Sequence, residues 1–142
     1  MNNTYTSLNI NITYTQAKFL MVYGPLPSIL PFYGAAMPQY NTDKLLIRIR
    51  SRISGSKSPQ DYSLGGEDGL DETPEQINPQ GITNYIGTPS WSVLNLSGSY
   101  SWKEKTTLRA GIENIFDVHY REFASGISAS GRSLIVGVGY EF

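Results

Sequence analysis

Arg48, Arg50 and Arg52 place three guanidinium groups two residues apart. On an extended strand that spacing projects all three the same way. Like charges so close repel one another unless anions lie opposite. The stripe therefore faces either an acidic partner or anionic ligand, or else water, with some members paired to carboxylates elsewhere in the fold. Arg109 and Glu113, four apart, share one side of a later strand and allow the same two readings. The opposite charge gathers in one stretch, where Asp61, Glu67, Asp68, Asp71, Glu72 and Glu75 stand against a single Lys57. Clustered carboxylates can hold calcium, but "GGEDGLDE" lacks the spaced oxygen ligands and closing glutamate of a calcium loop. A solvated acidic loop is the expectation.

Other chemistry finds little support. His119 is the only histidine and there is no cysteine, so a metal site lacks the convergent imidazole and thiolate ligands it needs. No metal or cofactor is expected. There is no phosphate-binding glycine loop, and "GISASGR" is not a strand-to-helix elbow that would present a nucleophilic serine. The chain reads as a non-enzyme. A formal net charge of -1 gives no reason to expect a nucleic-acid partner.

The elements that carry these residues follow a period of two. In "SLNINITYT", Leu8, Ile10, Ile12 and Tyr14 alternate with polar residues. "LLIRIRSRIS" sets Leu45, Ile47, Ile49 and Ile53 against Leu46 and the arginines. "WSVLNLSGSYSW", "TTLRAGIENI" and the closing "SLIVGVGYEF" repeat the pattern, the last carrying it to Phe142. A weaker strand, "YGAAMPQYN", lies between the first two, although Pro38 argues against a regular central strand. Six strands result. Their connections run long, short, long, short, long, with short turns at 41–43 and 103–105 and a very long, irregular loop over 55–89.

Alternating strands, tight turns on one side and large loops on the other are the marks of an outer-membrane β-barrel. Tyr40, Tyr100, Trp102, Tyr140 and Phe142 all fall beside the short turns and on the apolar side, as an interfacial aromatic girdle would. The fold expected is all-β: a segment of an antiparallel transmembrane barrel, about six strands in a meander, incomplete as an isolated chain. Six strands are fewer than the roughly eight of the smallest single-chain bacterial barrels. Two other architectures suit the pattern: a pore completed by several copies, and a soluble β-sandwich binding module.

Motifs sharpen the choice. "NIFDVHY" at 114–120, then Gly131–Arg132, then a strand ending in Phe142, resembles the C-terminal end of TonB-dependent outer-membrane receptors. In that pattern the matching residues are Asn114, Phe116, Asp117, Tyr120, Gly131 and Arg132. "PLPSILPF", "YSLGGEDGLDETP" and "GTPSW" resemble further pieces of the family in the same order, so the resemblance spans most of residues 1–142. Asn114 and Asp117 read independently as turn formers, and Gly131 as a residue supplying a backbone conformation that others resist.

The resemblance implies a part of a large barrel that imports a scarce nutrient (a siderophore, cobalamin, haem or a glycan) across the bacterial outer membrane. Its partners would be outer-membrane lipid, the remaining barrel strands and the plug. TonB would act through an N-terminal part not found in these 142 residues, which also show neither plug, TonB box nor signal peptide. The arginine stripe would then face plug carboxylates or a passing anionic ligand. Tyr62, Glu67, Asp68, Asp71, Glu72 and Tyr85 would lie on an external loop within reach of ligand. The resemblance also implies that the barrel-assembly machinery reads the last strand through a polar-x-Gly-x-x-apolar-x-apolar signal. Gly137, Tyr140 and Phe142 match it, whereas its polar position falls on Ile135.

Overall fold

The computed structural model describes residues 4–17, 24–103 and 105–142. Eight strands form: β1 (Tyr5–Thr13), β2 (Tyr33–Asn41), β3 (Leu45–Ser54), β4 (Glu75–Ile77), β5 (Thr83–Tyr85), β6 (Trp91–Lys103), β7 (Thr106–Glu113) and β8 (Ser133–Tyr140). Six of them make one antiparallel sheet in the order β1-β2-β3-β6-β7-β8, and β4 and β5 pair separately. Apart from the β4–β5 excursion this is a meander, with each strand beside its predecessor in the sheet. Among the described residues the sheet is a single layer, with none of them packed over its apolar side. Among the described residues the buried apolar core is only Tyr62 and Val93. A sandwich needs two sheets with their apolar faces together, and the described residues form no such layer.

Register shows why the alternation matters. Residues paired across an antiparallel ladder point to the same face. One row runs Ile49↔Leu96↔Ile112↔Leu134 and the next Ile47↔Gly98↔Ala110↔Val136. Ile12 joins the same side through Gly34 and Ile53. These aliphatic side chains are open, with Leu134 and Val136 each 73% exposed. The other face carries Asn9 and Asn11, the arginine stripe, Ser97, Ser99, Arg109 and Gly137, in positions fixed by the same ladders.

The aromatics gather beside the two tight turns. Tyr40 pairs with Ile47, Tyr100 with Leu45, and Tyr140 with Thr106, so all three sit on the apolar face. Phe142 packs edge-on to Tyr140, ring centroids 5.4 Å apart. The β2–β3 turn is closed by Thr42, whose N–H donates to the Leu45 carbonyl at 2.8 Å and whose hydroxyl oxygen accepts the Leu45 N–H at 2.9 Å.

Some sequence expectations need correction. The first strand starts at Tyr5 and ends at Thr13, two residues earlier than the alternation suggests. Pro38 does not prevent β2. It pairs with Leu8 on β1, but the ladder to β3 skips Met37 and Pro38 and resumes at Gln39↔Arg48 without a slip. The missing proline N–H thus removes rungs on one side only. The last strand ends at Tyr140, although the Glu141 N–H still donates to the Lys105 carbonyl. The loop after β3 is irregular as expected but carries short ordered elements. It holds two 3-10 turns, at Pro59–Asp61 and Leu70–Glu72, besides the β4–β5 hairpin.

The turn after β7 behaves as its asparagine and aspartate suggest. Asn114 and Asp117 both take left-handed backbone conformations, with φ of 49° and 55°. Asn114 is buried and knots the loop: its Oδ1 accepts the Val118 N–H, and its Nδ2 donates to the carbonyls of Val118 and Ser130. Asp117 Oδ1 accepts the Arg132 N–H at 2.7 Å. Gly131 does not supply the expected backbone conformation. Its φ is not left-handed, but a Cβ there would come within 2.8 Å of Asp117 Oδ1. Phe116 points outward and is exposed.

Asn114→Ala removes three side-chain hydrogen bonds and a residue tolerant of positive φ. We expect a loss of about 2–3 kcal/mol in local stability, seen as faster hydrogen exchange at Val118 and Arg132 with the β6–β7 ladder unchanged.

Candidate functional site

Three loops converge at the end of the sheet opposite the tight turns: 24–32, 55–90 and 114–132. Their junction is a buried ion pair. Lys57 Nζ lies 3.1 Å from Asp68 Oδ2, and the two residues are 5% and 2% exposed. Both ions have their remaining valences filled, as a buried pair needs. Asp68 also accepts the N–H groups of Ser28 at 2.7 Å and Ser63 at 3.2 Å. Lys57 also donates to the Ile29 carbonyl at 2.8 Å and lies 3.9 Å from the Phe123 ring centroid. One carboxylate and one ammonium thereby tie segments from all three loops.

Local backbone geometry builds this junction. Lys57 and Thr88 exchange backbone hydrogen bonds of 2.9 and 3.0 Å, closing the long loop at its base. Gly87 makes that approach possible, with φ of 78° and the Lys57 carbonyl where a side chain would stand. Tyr62 fills the interior beneath, its hydroxyl bonded to that of Thr88 and its ring edge-on to Phe123 at 5.9 Å. Burial pushes the Tyr62 phenol above its ordinary value, partly offset by Thr88. Burial acts on Asp68 in the same upward sense, but the Ser28 N–H, Lys57 and the Ser63 N–H outweigh it and hold the carboxyl below its usual range.

Beside the junction opens a cavity of about 250 Å³ between the long loop and the 114–132 loop. Trp91 and Tyr120 form one wall, their rings 4.4 Å apart and tilted by 38°. The Arg52 guanidinium lies 5.4 Å from the Trp91 ring centroid and pairs with Glu122, which lines the cavity. Arg121 donates to the Glu72 carbonyl at 2.6 Å and crosses from one loop to the other. The indole Nε1–H of Trp91 is buried and has no acceptor.

The residues singled out in the sequence separate into groups. The arginine stripe exists as a face but not as a uniform site. Arg48 donates twice to Gln39 Oε1, both at 3.1 Å, and Arg52 pairs with Glu122, while Arg50 projects into the open. Arg109 pairs across the ladders with Ser99 and Gly137, and Glu113 with Ser133. Tyr62 and Asp68 are not solvent-facing loop groups, because they form the interior of the junction. The expectation of a wholly solvated acidic loop fails at Asp68 for the same reason. Glu72 reaches the cavity, Glu67 caps the Ser63 hydroxyl at 2.7 Å, and Asp71 stays exposed. Tyr85 sits half-buried on β5, across from Glu75. Sequence reasoning missed Lys57, Ser28 and Trp91 as site formers. The isolation of one lysine among carboxylates was the available signal.

No family model matches the chain, and no curated protein does. Among solved structures, the chain superimposes on part of "Copper transporter OprC" with a TM-score of 0.71 and 17% identity. The match covers 99% of this chain and 22% of that one, so the chain spans less than a quarter of the length of the structure it resembles. At that identity the likeness establishes the fold. Among the described residues no group of three or more histidine, cysteine, aspartate or glutamate side chains could hold a metal ion.

Asp68→Asn leaves Lys57 buried without its counter-ion, and we expect roughly 3–5 kcal/mol of loop stability to be lost. Adding Lys57→Met should restore much of it. Limited proteolysis within 55–90 reads both. The depressed Asp68 carboxyl adds stability that is complete above the unfolded value of about 3.9 and fades only as pH falls below it. Protease resistance of this loop should therefore hold from neutral pH to about 4 and drop beneath.

Proposed function

We propose that the chain forms wall and external loops of a TonB-dependent outer-membrane receptor that actively imports a scarce nutrient. The observation that carries this reading is the uncovered apolar face, which runs across all six strands and ends in aromatic rings at the tight turns. Water does not favour so large an open apolar surface, whereas lipid tails do. The strands of the main sheet are 8 to 13 residues long, which suits a crossing that needs about 9–11. The N-I-F-D motif and the order of the family-like segments support this receptor class over other barrels, and the likeness to a transporter's fold agrees with it.

In that setting the polar face lines the lumen, with Arg48, Arg50, Arg52, Arg109 and Glu113 toward the plug or the passing ligand. The tight turns with their aromatic band lie at the periplasmic rim, and the loop junction lies outside. Among the described residues β1 and β8 each pair on one side only. Their free edges would join the remaining strands, because unpaired backbone groups in lipid cost several kcal/mol each. Gly137, Tyr140 and Phe142 would serve as the assembly signal. Copper as the cargo draws no support from this segment: it has no cysteine and one histidine, and its three methionines are far apart in sequence.

A charge on the outer face tests the reading. Val136→Arg should lower stability in lipid vesicles by about 2–4 kcal/mol, while Ser97→Glu, set opposite Arg48 on the other face, should be nearly neutral. Urea titration followed by heat-modifiable gel mobility measures both. A monomeric, cooperatively folded chain in plain buffer, with Leu134 and Val136 shielded from water, would sink the proposal.

A further inference from the structure

We infer that the cavity between the long loop and the 114–132 loop binds an uncharged polyhydroxylated ring, a sugar unit. The inference rests on the receptor reading only in taking this end of the sheet as the outward one.

Charge balance is the first argument. Two of the three acidic residues at the cavity are paired with cations, and the third, Glu72, holds Arg121 only through its backbone carbonyl. Asp68 is paired with Lys57, Glu122 with Arg52, and the Arg121 guanidinium lies against the Glu72 carbonyl. An anionic ligand would have to take a guanidinium from Glu122 or from the Glu72 carbonyl. A cationic one would have to displace a guanidinium or sit beside it. A neutral ligand disturbs none of these contacts.

The lining gives the second argument. One wall is the aromatic pair Trp91 and Tyr120, and the rim carries hydroxyl groups from Thr73, Ser90, Ser125 and Ser128. A sugar ring has the matching division, an apolar C–H face and hydroxyls round its edge. Such a pocket places a few polar groups around an apolar wall, as small-molecule sites do. At about 250 Å³ the space falls just below the roughly 300–1,000 Å³ of drug-sized sites, which suits one or two rings. The ion-paired junction next to it fixes the walls before anything binds, which lowers the ordering penalty of association.

The test uses the full chain folded in detergent micelles. Trp102→Phe leaves Trp91 as the sole indole, since the chain has two tryptophans. Trp91 emission is followed while glucose, galactose and maltose are added separately, with citrate and choline as charged probes. We expect a saturable change with at least one sugar in the millimolar range and none with citrate or choline. Tyr120→Ala should weaken that binding at least about ten-fold, and Tyr120→Phe should retain it. Silence toward all three sugars up to roughly 100 mM, in a chain whose heat-modifiable mobility shows it folded, overturns the inference. Tighter binding of citrate or choline overturns it too. Neither result touches the receptor reading, which stands or falls on the Val136 and Ser97 variants.

Discussion

The main sheet is held by its backbone ladder almost alone. In most domains an apolar face finds a second layer, and burial between layers supplies the chief driving force. Here Leu134, Val136, Val138 and the isoleucines of β1 and β3 stay exposed, with no second layer over them among the described residues. The hydrogen bonds fix which residues face which side, and the side chains then decide what medium each side accepts. A register slip of one residue would exchange the two faces across the sheet, putting Arg48, Arg50 and Arg52 where the isoleucines stand. Register is therefore the quantity on which both surfaces depend.

The loop end obeys the opposite rule. There the chain buries charge instead of exposing grease. Lys57 and Asp68 are enclosed, and their donors and acceptors come from segments far apart in sequence. A pair of this kind contributes little net energy against a well-packed apolar substitute, but it tolerates few alternative arrangements. It gives three loops a common anchor, which long connections without a core would otherwise lack. The cavity walled by Trp91 and Tyr120 inherits its shape from that anchor.

Period and spacing made the sheet readable. The six strands, their faces and the alternation of turn lengths all follow from local sequence, because each strand states its own inside and outside. Asn114 and Asp117 were readable for the same reason, since side-chain turn chemistry is local. The errors lie where partners are distant. Nothing near Asp68 announces that the N–H groups of Ser28 and Ser63 will solvate it. Gly131 reads as a residue of unusual backbone conformation, yet its φ is ordinary and its close neighbour is an aspartate fourteen positions earlier. Pro38 was weighed as a strand breaker on a rule that holds for central strands, and β2 answers it by giving up rungs toward β3 while keeping those toward β1.

That last feature sets the mechanics of the wall. Between Ala36↔Ser51 and Gln39↔Arg48 the β2–β3 boundary has lost its stitching, and on the apolar side a hollow of about 390 Å³ lies along it, edged by Pro38, Ile47 and Ile49. A bent sheet yields where its ladder is interrupted. The missing rungs make β2–β3 one place where this wall can crease, with β1 and β2 swinging together against β3.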